Sequence, residues 1–400
     1  MTKRRFVEVA AAGSSLLAAS LLVERSQLRT IYRKVKGRLR TERGTGPLPS
    51  VQPVQLPPDG ERVSAELALN SRCSSDYDGD PDIFHWGMFN PAARLSGDQV
   101  RRIAALANRC RFSEQGSGVK AVNDTLTFSV DKPSLRNRRE NCMIENGMQQ
   151  QAVSLACAAL GVGTIFDSLG LDGQELPSGD IATLRMRLGA MKPSYRGSYW
   201  TASVPQGERP WLPGNLPDPR RDGTNPLIPI LSDLSFDVHQ GAPITRQSLS
   251  QLLWAARGRT PHLYKSTPWG LTIPTWQGLQ NISAVYAVAG SKVYKYGNWL
   301  QGRPTHSLET IAADTSLVGR MRDLFAPWNA FVILATDDSY SRGLWEVGYQ
   351  LLNVLVQASG LGTAYQAILL RDDHRARLAG LPTETPVAIV ALRAVDAIMP

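Results

Sequence analysis

Ile144-Glu145-Asn146-Gly147-Met148-Gln149 and Trp345-Glu346-Val347-Gly348-Tyr349-Gln350 are the two stretches on which the fold turns. Val153 and Leu160-Gly161 follow the first, Val354 and Leu361-Gly362 the second. The identities Glu145/Glu346, Gly147/Gly348, Gln149/Gln350, Val153/Val354, Leu160/Leu361 and Gly161/Gly362 share one offset of 201 residues. Matches at a fixed offset within one helix length mark an internal repeat. Val153, Leu155, Ala156, Ala159 and Leu160 make one copy apolar on most faces; Leu351, Leu352, Val354, Leu355, Val356 and Leu361 do so in the other. That pattern predicts two buried helices, each closed by a Leu-Gly suited to left-handed backbone.

Upstream of each lies a further helix pattern. Ser96 precedes Val100, Ile103, Ala104 and Ala107; Thr245 precedes Leu249, Leu252, Leu253 and Ala256. Both hydroxyl residues are suited to cap a helix N-terminus. Strand patterns cover 283–289, 292–296, 330–335, 364–370 and 387–392. Helices and strands alternating about a central buried helix predict an α+β sandwich, repeated twice.

Proline marks the boundaries. Pro47, Pro49, Pro53, Pro57 and Pro58 crowd one stretch, and Pro205, Pro210, Pro213, Pro217, Pro219 and Pro226 another. The expected organisation is a basic signal or anchor segment at 1–43, a Pro-rich linker at 44–63, a first half at 64–204, a second linker at 205–226 and a second half at 227–400.

The chain has 400 residues, 42% of them hydrophobic and 20% charged, which is globular composition. Its net charge of +9 is concentrated at one end. Residues 1–44 hold eleven Lys/Arg against three acids, and the remainder holds 33 against 32. A nucleic-acid-binding body carries basic stripes on its own elements, so no nucleic-acid partner is expected. The leader opens Lys3-Arg4-Arg5-Phe6-Val7 ahead of an apolar run from Val9 to Val23 and resembles a twin-arginine export signal, with the pair read as Lys3-Arg4 or Arg4-Arg5. No convincing cleavage site precedes Glu24. Arg25, Arg29, Arg33, Lys34, Lys36, Arg38 and Arg40 then alternate with Leu28, Ile31, Tyr32, Val35 and Leu39. Over 21–40 this is an amphipathic basic helix fit for an anionic membrane surface. Export to the periplasm or membrane association is expected, and a cytoplasmic protein if the leader is no signal.

Cys73, Cys110, Cys142 and Cys157 form no C-x-x-C pair, and the five histidines show no ligand spacing, so no metal is expected. One or two disulfides and small buried thiols are both open readings of the cysteines. G-x-S-x-G, P-loop and G-x-G-x-x-G motifs are absent. Six tryptophans (254, 269, 276, 299, 328 and 345) crowd the second half as core or as an aromatic pocket.

The second half resembles the nitroreductase superfamily of flavoproteins, in particular its SagB-type dehydrogenase branch. The resemblance rests on 247–258, the turn Pro274–Asn281, the strand Val293-Tyr294-Lys295-Tyr296, 345–363 and 378–382. The first half is similar to a degenerate copy. The resemblance implies a nitroreductase-like sandwich, two fused copies forming an internal pseudo-dimer, and hence a monomer that builds its own FMN cleft. It implies FMN as cofactor, hydride transfer through flavin N5 to or from a small organic or peptide-derived substrate, and NAD(P)H among the electron donors. The cofactor-binding residues it implies are Arg72, Ser74, Ser113, Gln115, Gly116, Thr275, Gln280, Asn281 and Gly362. Where the family carries phosphate-binding arginines, Leu231–Asp237 has none; Arg72, Arg109, Arg111 and Lys120 are the available substitutes. Catalytic residues are not identified. By themselves, Thr275, Gln280 and Asn281 read as a polar loop, and Glu346 with Gln350 as a helix N-terminal acid and a polar neighbour. The alternative function is a non-catalytic binding or scaffold protein that kept the fold and lost the phosphate site.

Overall fold

Two antiparallel sheets and two long central helices carry the fold in the computed structural model. It describes residues 60–71, 93–113, 116–168, 174–190, 212, 214–264, 267–274, 282–300, 303–311, 315–337, 341–378, 380 and 384–395. The leader and first linker up to residue 59 lie outside these. The chain divides into Val51–Leu263 with Pro268–Pro400, and Met1–Ser50 with Tyr264–Thr267. The five- and seven-stranded sheets and all the described helices belong to the first of these units.

The first half opens with α1 (Ala65–Ser71) and α2 (Gly97–Arg109). Helix α2 starts on a capping box: Ser96 Oγ accepts from Gln99 N at 3.2 Å, and Gln99 Oε1 from Ser96 N at 3.0 Å. Strands β1 (Ser117–Val122) and β2 (Thr125–Val130) form a hairpin, followed by α3 (Lys132–Asn137) and the central helix α4 (Arg139–Leu160). Gly161, at φ +68°, caps α4 in left-handed conformation. Then come β3 (Val162–Ser168), β4 (Gln174–Glu175) and β5 (Ile181–Ala190).

The second half runs α5 (Leu227–Ser232), β6 (Asp237–Val238), α6 (Arg246–Arg257), β7 (Arg259–Tyr264), β8 (Thr267–Leu271), β9 (Ala284–Ala289), β10 (Lys292–Leu300) and β11 (Arg303–Thr310). It continues with α7 (Thr315–Leu324), β12 (Ala330–Ala335), the central helix α8 (Ser341–Gly360), β13 (Tyr365–Leu369), α9 (Asp372–Arg377) and β14 (Pro386–Leu392). Thr245 caps α6 by accepting from Ser248 N at 3.2 Å. Such a cap is worth about 1 kcal/mol. Helix α8 ends at Gly360, and the left-handed Gly362 (φ +64°) lies two residues beyond it.

Of the three sheets among the described residues, one pairs only β7 with β8, and a five-stranded one has the order β1-β2-β5-β3, with β4 also on β5. The largest has the order β11-β10-β9-β12-β14-β13-β6. Within it, β9-β12-β14-β13 matches β1-β2-β5-β3: each central helix enters after the second strand of the order and leaves into the fourth, and every pairing is antiparallel. In the second half β10-β11 and β6 widen this four-strand unit at its two edges.

Alternation along the large sheet divides the core in two. Ala330, Val332 and Leu334 pack into the core that holds α4 and α8, while Phe331, Ile333 and Ala335 face Leu317, Val318 and Met321 of α7. Both faces are covered, so these strands read as uninterrupted apolar runs. The second Pro-rich stretch is not a free tether where it is described. Arg220 bonds through its backbone N and O to the Gln251 side chain, at 2.8 and 3.0 Å, and Asn215 does the converse with the Leu308 backbone, at 2.7 Å twice. Among the described residues, no helix is long and apolar enough to cross a membrane.

Candidate functional site

Helices α4 and α8 cross on the two glycines of the repeat. A Cβ on Gly147 would stand 2.4 Å from the Trp345 carbonyl oxygen, and one on Gly348 would stand 2.1 Å from that of Ile144. Ile144 and Trp345 are themselves one repeat offset apart. The contact is therefore reciprocal, as across a two-fold axis. Only hydrogen fits at these positions, and backbone meets backbone.

Near the crossing, each half buries a glutamate against the serine at the head of a strand. In the second half, Ser283 Oγ donates to Glu346 Oε2 at 2.9 Å and accepts from Arg257 Nη1 at 2.8 Å and Gln350 Nε2 at 2.9 Å. One donor and two acceptors use the full capacity of a hydroxyl. Arg257 Nη1 also reaches Glu346 Oε2 at 3.1 Å, with side chains 5% and 0% exposed. Glu346 is thus a buried ion-pair partner in the second turn of α8, where the sequence by itself reads as a helix N-terminal acid. Helix docking explains the burial, since it closes the end of α6 over the first turns of α8.

In the first half, Ser117 Oγ donates to Glu145 Oε2 at 3.2 Å. Arg257 lies twelve residues after its cap Thr245; the residue twelve after Ser96 is Asn108. Asn108 is engaged by the Val119 backbone, donating to its carbonyl and accepting from its N–H, both at 2.9 Å. Among the described residues no cation pairs with Glu145. Burial pushes its carboxyl up to about 7, against the Ser117 hydrogen bond, the charges of Arg138 and Arg111 and the Phe112 backbone.

A third cluster flanks α6. His306 Nδ1 lies 2.8 Å from Tyr296 Oη, and its Nε2 lies 2.6 Å from Ser250 Oγ. The Ser250 hydroxyl donates to the Pro217 carbonyl, so Nε2 carries the ring hydrogen and Nδ1 accepts from the tyrosine. Burial, reinforced by Arg221, drops His306 to about 3, so the ring is neutral. Arg259 is 5% exposed and stacks over Trp299 at 4.4 Å, and neither its Nε nor its Nη1 has an acceptor. Burial and the neighbouring Arg257 lower it to about 10.

Of the residues expected to hold a cofactor, Arg72, Ser74, Gln115, Thr275, Gln280 and Asn281 lie outside the described residues. Ser113 follows α2, and Gly116, at φ +111°, sits against Ser134 Oγ and Arg138 Nη2, beside the Glu145 node. Gly362 lies beyond the opposite end of α8 and accepts from Ala242 N. The structure therefore brings Gly116 to a buried carboxyl but gives no such partner to Gly362. Of the substitute cations, Arg109 donates to the Ser232 carbonyl, Arg111 to the Ser117 carbonyl, and Lys120 pairs with Asp180 at 3.3 Å. Cys110, Cys142 and Cys157 are free buried thiols. Trp254, Trp328 and Trp345 are core, while Trp299 is exposed. Arg257, Ser117 and Ser283 carry no functional signal in the sequence; only their distances from the caps and strand heads, compared between halves, reveal them.

No family model matches the chain, and no curated protein matches it. Among solved structures, the chain is similar to a candidate nitroreductase from Anabaena variabilis, with 11% identity over 68% of this chain and 69% of that one, at a TM-score of 0.45. It is also similar to a candidate nitroreductase from Ralstonia eutropha, with 19% identity over 49% of this chain and 94% of that one, at a TM-score of 0.35.

Proposed function

We propose that this protein is an FMN-dependent oxidoreductase of nitroreductase type, built from two fused copies that pair as a pseudo-dimer within one chain. The reciprocal approach of Gly147 to Trp345 and of Gly348 to Ile144 carries the two-copy reading. The shared strand order and the paired Ser–Glu nodes support it.

The residues present suit a flavin in two respects. The 231–237 stretch has no arginine of its own, but Arg109 of the first half brings a guanidinium to the Ser232 carbonyl, where a phosphate would need a cation. Two residues before Pro274, Thr272 N bonds to the Gly258 carbonyl, next to Arg259 and its two N–H groups without acceptors. Gln350 Oε1 is likewise buried without a donor. Orphaned buried groups of this kind are filled in a working site by ligand or water. Arg109, Thr275, Gln280 and Asn281, with Arg72, Ser74, Ser113, Gln115, Gly116 and Gly362, are the residues assigned to hold it.

FMN, when bound, supplies a two-electron centre that takes up and gives up hydride. The chain orients the ligand at the turn, excludes water through the apolar faces of α4 and α8, and holds charge through the Arg257–Glu346 pair. The substrate is assigned as a small organic or peptide-derived molecule, with NAD(P)H as a donor. Residues 1–43 are assigned to export or to a membrane surface. A reporter fused to these residues that stays in the cytosol and off membranes contradicts that assignment.

The test is the visible spectrum of the purified chain after incubation with FMN and gel filtration. Retained flavin that bleaches with NAD(P)H or another reductant is expected. A colourless protein overturns the reading and leaves the non-catalytic alternative, which the arginine-free 231–237 stretch favours.

A further inference from the structure

Arg259 is a buried cation with no anion opposite it among the described residues. We propose that its guanidinium, covered by the Trp299 indole, binds the carboxylate of a monoanionic organic molecule. The site stands on Arg259 and its neighbours; the assignment of its ligand as the substrate rests on the flavin reading above.

The chain fixes this guanidinium from two sides. Helix α6 ends at Arg257, and Gly258 passes so close to Trp254 that a Cβ would stand 2.1 Å from its Cδ1. Trp254 Nε1 then donates to the Arg259 carbonyl at 3.1 Å, and Thr272 N to the Gly258 carbonyl at 3.0 Å. On the other side, Asn298 Nδ2 donates to the Arg257 carbonyl at 2.7 Å, where the β10–β11 register shifts between Gly297 and Trp299. A shift of this kind re-aims the side chains beside it. Here the Trp299 ring lies over Arg259 Cζ, 4.4 Å from centroid to carbon. Trp299 is 40% exposed and Arg259 only 5%, so the indole is the solvent-side wall of the cation.

The charges around it do not balance. Arg257 is paired with Glu346, and Arg221 is faced by Asp218. Tyr296 is neutral because burial raises its hydroxyl, and His306 is neutral as described above. Three arginines thus meet two carboxylates, and the positive charge left over sits on Arg259. Its value falls only to about 10, so it stays protonated at neutrality. Nε and Nη1 are buried without an acceptor. A buried ion is tolerated when it is paired and hydrogen-bonded, which a bound anion would achieve here. One surplus charge suits a monoanion better than a doubly charged phosphate. With the indole on a face of the guanidinium, its donors are left at the edge, in the plane that matches a carboxylate fork to fork. Trp299 and the exposed Leu300 offer apolar surface to the organic part. Arg109 remains the cation assigned to the flavin phosphate.

The test uses the full chain without FMN, with butyrate as probe and butyramide as its uncharged counterpart. At constant ionic strength butyrate is expected to raise the melting temperature by mass action and to change tryptophan emission, and butyramide to do neither. Arg259→Met should lose both responses and, without ligand, melt no lower than the wild type, since an unpaired buried charge is gone. Arg259→Lys, which keeps the charge but not the fork, should bind butyrate about tenfold more weakly. Trp299→Phe should still bind butyrate by calorimetry but lose the emission change. A wild type that ignores butyrate, or an Arg259→Met variant that responds equally, overturns the proposal. So does tighter binding of inorganic phosphate than of butyrate, or displacement of butyrate by FMN, which would make the anion the cofactor's own phosphate. A chain that binds butyrate but not FMN keeps this site and loses the flavin reading; retained flavin with no butyrate response does the reverse.

Discussion

Gly147 and Gly348 meet where α4 and α8 cross, each pressed against the backbone three residues before the other. Neither helix can carry a β-carbon there without the pair moving apart. Gly147→Ala and Gly348→Ala are each expected to lower stability by about 1–3 kcal/mol through overpacking. Because they share one contact, their effects should be non-additive. Gly319 in α7 is the control, since a Cβ added there would meet nothing within 4 Å. Gly319→Ala should stabilise by roughly 0.5–1 kcal/mol, since alanine suits a helix better. Urea denaturation midpoints of the variants decide this; equal losses at all three positions would count against the crossing.

Arg257 and Glu346 are a buried pair, so removing one partner should be worse than removing both charges. Arg257→Met is expected to cost about 3–5 kcal/mol by stranding the carboxylate. The double variant with Glu346→Gln should recover a substantial part of that. A double variant no more stable than Arg257→Met would show that the pair is not coupled.

The large sheet is legible from sequence because its strands are covered on both faces: Ala330–Ala335 is six apolar residues in a row, and the structure places the strand on those residues. The small sheet is harder to find. In β1, Ser117-Gly118-Val119-Lys120-Ala121-Val122, only Ser117 and Val119 are buried, so the pattern is diluted by solvent-facing positions. The Glu–Ser nodes are half legible. The repeat exposes Glu145 and Glu346, but Arg257 reaches Glu346 across 89 residues, through helix docking that local pattern does not encode.

Glu145 also predicts how stability varies with pH. Its folded value of about 7 lies above the ordinary 4.5, so the native state holds more protons than the unfolded chain between these values. Stability therefore falls as pH rises through that window, by on the order of 3 kcal/mol, and levels off above it. Glu145→Gln removes this slope. Thermal or urea midpoints of both proteins at pH 5 and pH 8 check it; a wild-type minus variant difference that does not change with pH rules it out.

His306 acts with the opposite sign. Its folded value of about 3 lies below the ordinary 6.5, so the unfolded chain binds more protons between them. Stability contributed by the neutral ring is present above about 6.5 and is lost as pH falls toward 3, by about 5 kcal/mol at most. His306→Gln, which cannot titrate, should lose its disadvantage to the wild type as pH drops from 7 to 4. A gap that widens instead would contradict the Ser250–His306–Tyr296 assignment.

The central claim is that two copies pair about the glycine crossing to hold one flavin. A crystal structure of the chain grown with FMN tests it most directly. The account predicts flavin density at the Pro274–Asn281 turn, with Arg109 directed at the phosphate and the four-strand units of the two halves superposing about α4 and α8. A structure with FMN seated elsewhere, or with halves that do not superpose, would contradict it.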